Sequence, residues 1–218
     1  MIARTSPAQM PKHAVILCHP DPDSFNGAVA RRYCETVEQI GHSVILRDLY
    51  RIGFDPVLKV EEQPTAENFV LADDVATELE LLSGVKVLVL VYPLWFAMPP
   101  AMLKGYVDRV LGAGFPYGAI RQSLVHPLLT GCHLLSFTSS GTAKQWLQET
   151  GAWSSLRQLF DEYLRHAFSL QSADHVHFSS IVPGMKPRFV EEHLFQVEQM
   201  ARKMCAGVAA KLENPMKG

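Results

Sequence analysis

Short runs of leucine and β-branched residues alternate along this chain with longer stretches whose apolar positions recur at helical spacing. The runs at 13–18, 43–46, 85–91, 132–138 and 176–182 predict five strands. The run at 85–91 is almost uniformly apolar, the mark of a strand buried on both faces. Helical spacing predicts helices over 27–40, 65–83, 100–111, 154–168 and 187–212. Asn26 is the expected cap of the first helix and Gly41 its stop, Gly84 ends the second, and proline opens the third. Residues 51–65, 112–118 and 119–130 read as irregular connections. Repeated strand–helix units imply an α/β protein with a parallel sheet, helices on both faces and right-handed crossovers. For five strands the expected order is 2-1-3-4-5, in which the switch point falls between strands 1 and 3.

That topology puts the turns after strands 1 and 3 at the mouth of one crevice. The first, His19-Pro20-Asp21-Pro22-Asp23-Ser24-Phe25-Asn26, offers phosphate donors in His19, the Ser24 hydroxyl, the Asn26 amide and the N–H groups of a helix start. Asp21 and Asp23 fit such a role only if they point outward. The second, Tyr92-Pro93-Leu94-Trp95-Phe96-Ala97-Met98, is rigid, apolar and aromatic, and suits a flat ring system better than a sugar or a metal. After strand 4, Thr138-Ser139-Ser140-Gly141 is a turn of small residues that lets backbone approach a ligand closely. Each segment alone has a plain alternative as a helix cap, a packed turn or a polar turn.

Composition narrows the classes. With 218 residues, 48% apolar and 19% charged, the chain has the make-up of one globular domain, expected to span 13–218 behind a loose extension at 1–12. A net charge of −2 argues against nucleic acid or anionic lipid as partners. No apolar run is long enough for a membrane helix, and the N-terminus lacks the apolar core of a secretory signal. Cys18, Cys34, Cys132 and Cys205 are widely spaced without a CxxC pair, which argues against a disulfide framework or zinc site and fits a reducing cytosol.

GxGxxG, GxxxxGK[ST] and GxSxG are absent. Asp174, His175 and His177 raise a metal hypothesis. The two histidines share one side of a strand, but no further ligand cluster completes a site, so a packed or surface pair is the expectation. Glu61-Glu62, Asp73-Asp74 and Glu191-Glu192 read as solvated charges, and Asp108-Arg109 as a salt-bridged pair.

Taken in order, His19…Ser24-Phe25-Asn26, Asp48-Leu49-Tyr50 with Phe54-Asp55-Pro56, Tyr92-Pro93-Leu94-Trp95-Phe96, and Pro100 to Gly105 with Asp108-Arg109-Val110 resemble the NAD(P)H:quinone oxidoreductase family. This is the DT-diaphorase-like branch of the flavodoxin-like flavoproteins. The motifs cover about 13–141, and beyond 150 only the strand–helix pattern supports the likeness. The resemblance implies a flavodoxin-like sheet and ping-pong turnover. NAD(P)H delivers hydride to flavin N5, and a quinone or similarly flat acceptor, azo and nitro compounds included, then takes it. It also implies that His19, Ser24, Phe25 and Asn26 hold the ribityl-phosphate side, that Pro93, Leu94, Trp95 and Phe96 line the isoalloxazine, and that Thr138, Ser139, Ser140 and Gly141 meet its pyrimidine end. A homodimer with Trp95, Phe96 and Met98 facing the partner is a further implication. No side chain is assigned as catalytic, because the chemistry resides on the flavin.

There are departures. Trp146 stands where mammalian members carry a tyrosine, and Ala152 or Trp153 where they carry a histidine. Tyr117 and Tyr92 are the substitute candidates. The turn after strand 3 is one residue shorter than the Pro-Leu-Gln-Trp-Phe-Gly form, which shifts contacts at Leu94 and Trp95. The compact 57–83 segment gives the adenine half of FAD no evident support, so FMN and FAD both stay open, as do NADH and NADPH. The alternative function is an ancillary flavoprotein subunit of a potassium efflux system. A one-electron flavodoxin carrier is disfavoured, because its Thr/Ser-rich phosphate loop is missing.

Overall fold

In the computed structural model, which describes residues 10–213, five parallel strands stand in the order 2-1-3-4-5. They are β1 (Lys12–Leu17), β2 (Ser43–Asp48), β3 (Val85–Pro93), β4 (His133–Ser139) and β5 (Ser172–Phe178). Successive side chains of a strand point to opposite faces, so the central strands divide between two cores. Ala14, Ile16, Leu88, Leu90 and Leu134 enter one, while Val15, Leu17, Val89, Val91, Leu135 and Phe137 enter the other. Burial on both faces is what made these runs legible. The expected extension at 1–12 lies mostly outside the described residues, although Lys12 already pairs in β1.

The second core is closed by α1 (Phe25–Ile40) and the long α8 (Pro187–Glu213). α1 starts two residues before its predicted start. Ser24, not Asn26, is the cap, its Oγ accepting the Gly27 N–H at 3.1 Å, and Asn26 is carried inside the first turn. Gly41 ends the helix as predicted, at φ 93°.

The first core is covered by α2 (Asp73–Leu82), α3 (Ala101–Tyr106), which continues as a π-type turn over Val107–Leu111, the short α4 (Tyr117–Arg121) and α5 (Lys144–Glu149), and the run α6 (Ala152–Leu156), π-type turn (Arg157–Glu162) and α7 (Tyr163–Ala167). α2 is shorter than predicted because residues 65–72 lie outside the helix. α4 and α5 carry too few turns to show a period. The predicted 154–168 helix exists, but as this widened composite.

Two charge readings are corrected. Asp108 pairs with Lys104 at 2.5 Å, while Arg109 is buried and binds Glu62 at 2.5 Å and Asp74 at 2.7 Å. Glu62 and Asp74 are thus partners of one guanidinium rather than solvated charges. Together they fasten the 54–74 segment onto the end of α3. The prediction for the last strand is also corrected: β5 lies four residues before its predicted start, at Ser172–Phe178 rather than 176–182.

Candidate functional site

The three loops flagged by sequence converge at the carboxyl ends of β1, β3 and β4. The first is braced internally: the Asp21 N–H donates to His19 Nδ1 at 3.1 Å, and the Asp23 N–H donates to Asp21 Oδ1 at 2.9 Å. Both carboxylates stand exposed, so neither is buried against the helix start. Gly27 lets this loop close over α1, since a Cβ there would come within 2.5 Å of the Pro22 carbonyl oxygen.

Ser139 ties the loops together. Its Oγ donates to Asn26 Oδ1 at 2.7 Å, and its carbonyl accepts the Leu94 N–H at 2.7 Å. The Trp95 ring packs 6.1 Å from that of His19. Beyond Leu94 the chain makes a tight reversal in which Trp95 and Met98 exchange both backbone hydrogen bonds, with Phe96 at φ 52° and Ala97 at φ 61°. Left-handed backbone costs an ordinary residue ~1–2 kcal/mol. The turn therefore carries strain at the cleft's rim, where strained backbone tends to concentrate.

Around these contacts lies a cavity of about 200 Å³. Its wall takes His19, Phe25 and Asn26 from the first loop, Pro93, Leu94 and Trp95 from the second, and Ser139, Ser140 and Gly141 from the third. Ile181 completes it. Three predicted residues stand outside the wall. Ser24 caps α1, the Phe96 side chain is fully exposed at the apex of its turn, and the Thr138 hydroxyl is buried among the β5 histidines. Ile181 carried no sequence signal, because it had been counted inside the last strand. It is in fact past β5, and its N–H donates to the Ser140 carbonyl at 2.9 Å.

Behind Ser140 runs a buried polar chain. Asp161 takes hydrogen bonds from Ser136 at 3.0 Å and His175 Nδ1 at 2.5 Å, with Arg157 at 3.2 Å. His175 Nε2 meets Thr138 Oγ1 at 2.7 Å, Thr138 meets His177 Nδ1 at 2.8 Å, and His177 Nε2 meets Ser140 Oγ at 3.1 Å. Burial, with the nearby His175 and Lys144, pushes His177 down to about 4, so it is neutral at physiological pH. The two histidines do share one side of the strand, as predicted, and their partners are hydroxyls and a carboxylate, the packed pair expected. Trp153 packs on both rings at 4.8 and 5.4 Å. Trp146, at the position of the family tyrosine, is exposed.

Known proteins agree with this architecture. The family described as flavodoxin-like fold matches residues 11–204. An uncharacterized NAD(P)H oxidoreductase of Haemophilus influenzae is 36% identical over 145 residues, covering 66% of this chain and 71% of that protein. NAD(P)H dehydrogenase (quinone) 1 of Rattus norvegicus is 28% identical over 149 residues, 61% of this chain, which spans about half (54%) of the rat protein. Among solved structures, an NAD(P)H:quinone oxidoreductase from Methanothermobacter marburgensis superposes with a TM-score of 0.73 at 24% identity, covering 89% of this chain and 96% of that one. An FMN-dependent NADH-azoreductase from Bacillus anthracis, in complex with FMN, gives 0.68 at 18% identity, covering 89% and 99%. The sheet order, the conserved run of the fold over nearly the whole described length and these relatives together place the chain in the flavodoxin-like-fold family.

Proposed function

We propose that this chain is a flavin-dependent NAD(P)H oxidoreductase that reduces quinones or similarly flat acceptors. The observation that carries the reading is the Ser139 junction, which joins loops from three strand–helix units around one cleft. When bound, the flavin supplies hydride transfer between nicotinamide and acceptor; the protein binds, orients and screens.

The donor set fits such a group. α1 is a 16-residue helix whose first N–H groups lie beside the Asn26 amide, a combination suited to a phosphate. Pro93, Leu94 and Trp95 give a flat apolar wall for a ring system. Ser140 and Gly141 form the polar part of the wall. The Asp161–His175–Thr138–His177 chain holds the Ser140 hydroxyl in a fixed place, so that part is pre-organised. We assign FMN as the flavin, supported by the azoreductase neighbour's complex.

We further propose a homodimer. Met98 and Leu159 are exposed on the wall of a second cavity of about 260 Å³ beside the strained turn, where Phe96 is also exposed, and a second copy would cover this apolar area. No helix among the described residues is long and apolar enough to cross a membrane. The four unpaired cysteines support a cytosolic location. The relatives named above bring no support to the alternative of an ancillary transporter subunit.

The test starts from tag-free purified protein reconstituted with FMN and, separately, FAD. Retention of FMN by mass, with NADH or NADPH consumed only when a quinone is present, supports the proposal. Failure to retain either flavin refutes it, and retention with negligible turnover favours the ancillary reading. Asn26→Ala with Phe25→Ala should weaken retention at least tenfold. Sedimentation equilibrium decides the dimer.

A further inference from the structure

At the end of the sheet opposite the cleft, three metal-binding side chains converge. His13 lies at the start of β1, His42 follows the Gly41 cap of α1, and Cys205 projects from α8. His13 Nε2 is 3.1 Å from His42 Nδ1 and 3.9 Å from Cys205 Sγ. All three ligand atoms lie within 4.8 Å of one another. We propose that His13, His42 and Cys205 bind one zinc ion, with water in the fourth position on the half-exposed His42 side.

The separations match the chemistry. Tetrahedral zinc with bonds of ~2.05 Å to nitrogen and ~2.3 Å to sulfur sets N–N near ~3.3 Å and N–S near ~3.6 Å. The His13–His42 and His13–Cys205 separations of 3.1 and 3.9 Å lie within a few tenths of an ångström of these values, and the His42–Cys205 pair lies within 4.8 Å. His13 is oriented from behind: its Nδ1 lies 2.9 Å from the buried Tyr33 hydroxyl, an outer contact that holds Nε2 toward the cluster. A cysteine ligates as the thiolate, so zinc binding would displace the Cys205 thiol proton to solvent, releasing about one proton per ion as the Zn–S bond forms. The donors are two imidazoles and a sulfur with no carboxylate in the cluster, which disfavours magnesium and calcium. The wide sequence spacing hid the site, since no two of these residues form a short ligand motif.

Such an ion would brace β1, the α1–β2 turn and the C-terminal helix. It is about the length of a strand from the cleft, so it is independent of the proposed redox function. The test uses tag-free holoprotein stripped with a chelator, then titrated with Zn²⁺ and, as a spectroscopic probe, Co²⁺. One equivalent of Zn²⁺, a thiolate-to-Co²⁺ charge-transfer band, a higher melting temperature with zinc and proton release near one support the site. His42→Ala and Cys205→Ser should each weaken binding at least a hundredfold, and Cys205→Ser should abolish the charge-transfer band, while flavin retention and turnover stay at wild-type level. Melts without metal confirm that these variants fold. Zinc uptake by wild type no greater than by the His42→Ala/Cys205→Ser double variant overturns the proposal, as does Co²⁺ bound without a thiolate band.

Discussion

Arg109→Met is the perturbation that most directly tests how the 54–74 segment is held. The guanidinium donates to Glu62 through Nε (3.1 and 3.0 Å) and Nη2 (2.5 Å), to the Asp55 carbonyl at 2.6 Å, and to Asp74 at 2.7 and 3.0 Å. It also lies 5.3 Å from the Phe54 ring. Methionine keeps most of the volume but strands Glu62, whose side chain is only 6% exposed. Asp74 is 47% exposed and regains water, so little of the loss comes from it. Removing one partner of a buried pair costs ~3–5 kcal/mol. Glu62 lies on a short surface turn that can rotate outward, which favours the low end, about 3 kcal/mol. For a chain of this size that is a drop of roughly 6–12 °C in melting temperature, measured by circular dichroism on matched apo samples. The double variant Arg109→Met/Glu62→Leu should recover much of the loss, because an apolar pair replaces the stranded charge. A drop below ~2 °C, or a double variant no better than the single, would refute the reasoning. There is a pH signature too. Hydrogen bonds from Arg109 hold Glu62 and Asp74 below the ordinary carboxylate range. A depressed folded pKa contributes stability above the unfolded value and loses it as pH falls through the folded one. The acid limb of the stability curve should therefore flatten in the variant.

Gly27→Ala should push the Pro22 carbonyl away and open the first loop, lowering flavin retention at least tenfold with a stability loss of about 1–3 kcal/mol, read by equilibrium dialysis and urea melts; unchanged retention would detach that loop from the site. Gly207→Ala on α8, where an added Cβ meets nothing within 4 Å and φ is not positive, should stabilise by ~1 kcal/mol, and a lower urea midpoint would contradict it. Burial pushes His177 down to about 4. Since its folded value lies below the unfolded histidine value of ~6.5, stability should hold above that pH and fall as pH drops toward 4; a urea midpoint flat from pH 7 to 4.5 would rule this out.

What could be read in the sequence was whatever an apolar period encodes. β1, β3 and β4 are buried on both faces, so their runs are uniform and their order followed from topology. β5 was misplaced for the opposite reason: its side facing the first core carries His175 and His177, satisfied by Thr138 and Asp161 rather than by apolar packing. The three loops of the cleft were visible as unusual turns, yet which atoms point inward was not. Thr138 turns away from the cleft while Ser139 joins it, a distinction set by the pleat. Arg109 and Glu62 are 47 residues apart, and nothing local marks their pairing. The positive φ at Phe96 and Ala97 breaks residue preference outright, because the reversal is imposed by the Leu94–Ser139 bond and the Trp95–Met98 exchange.

The Asn26–Ser139 bond spans 113 positions of chain. A polypeptide still emerging from the ribosome can fold its first strand–helix unit and expose a competent-looking N-terminal half, yet it has no third wall until β4 docks and no fourth side until Ile181 settles. On the proposed function, cofactor capture requires the chain through residue 181, and no proteolytic fragment ending before β4 should copurify with flavin.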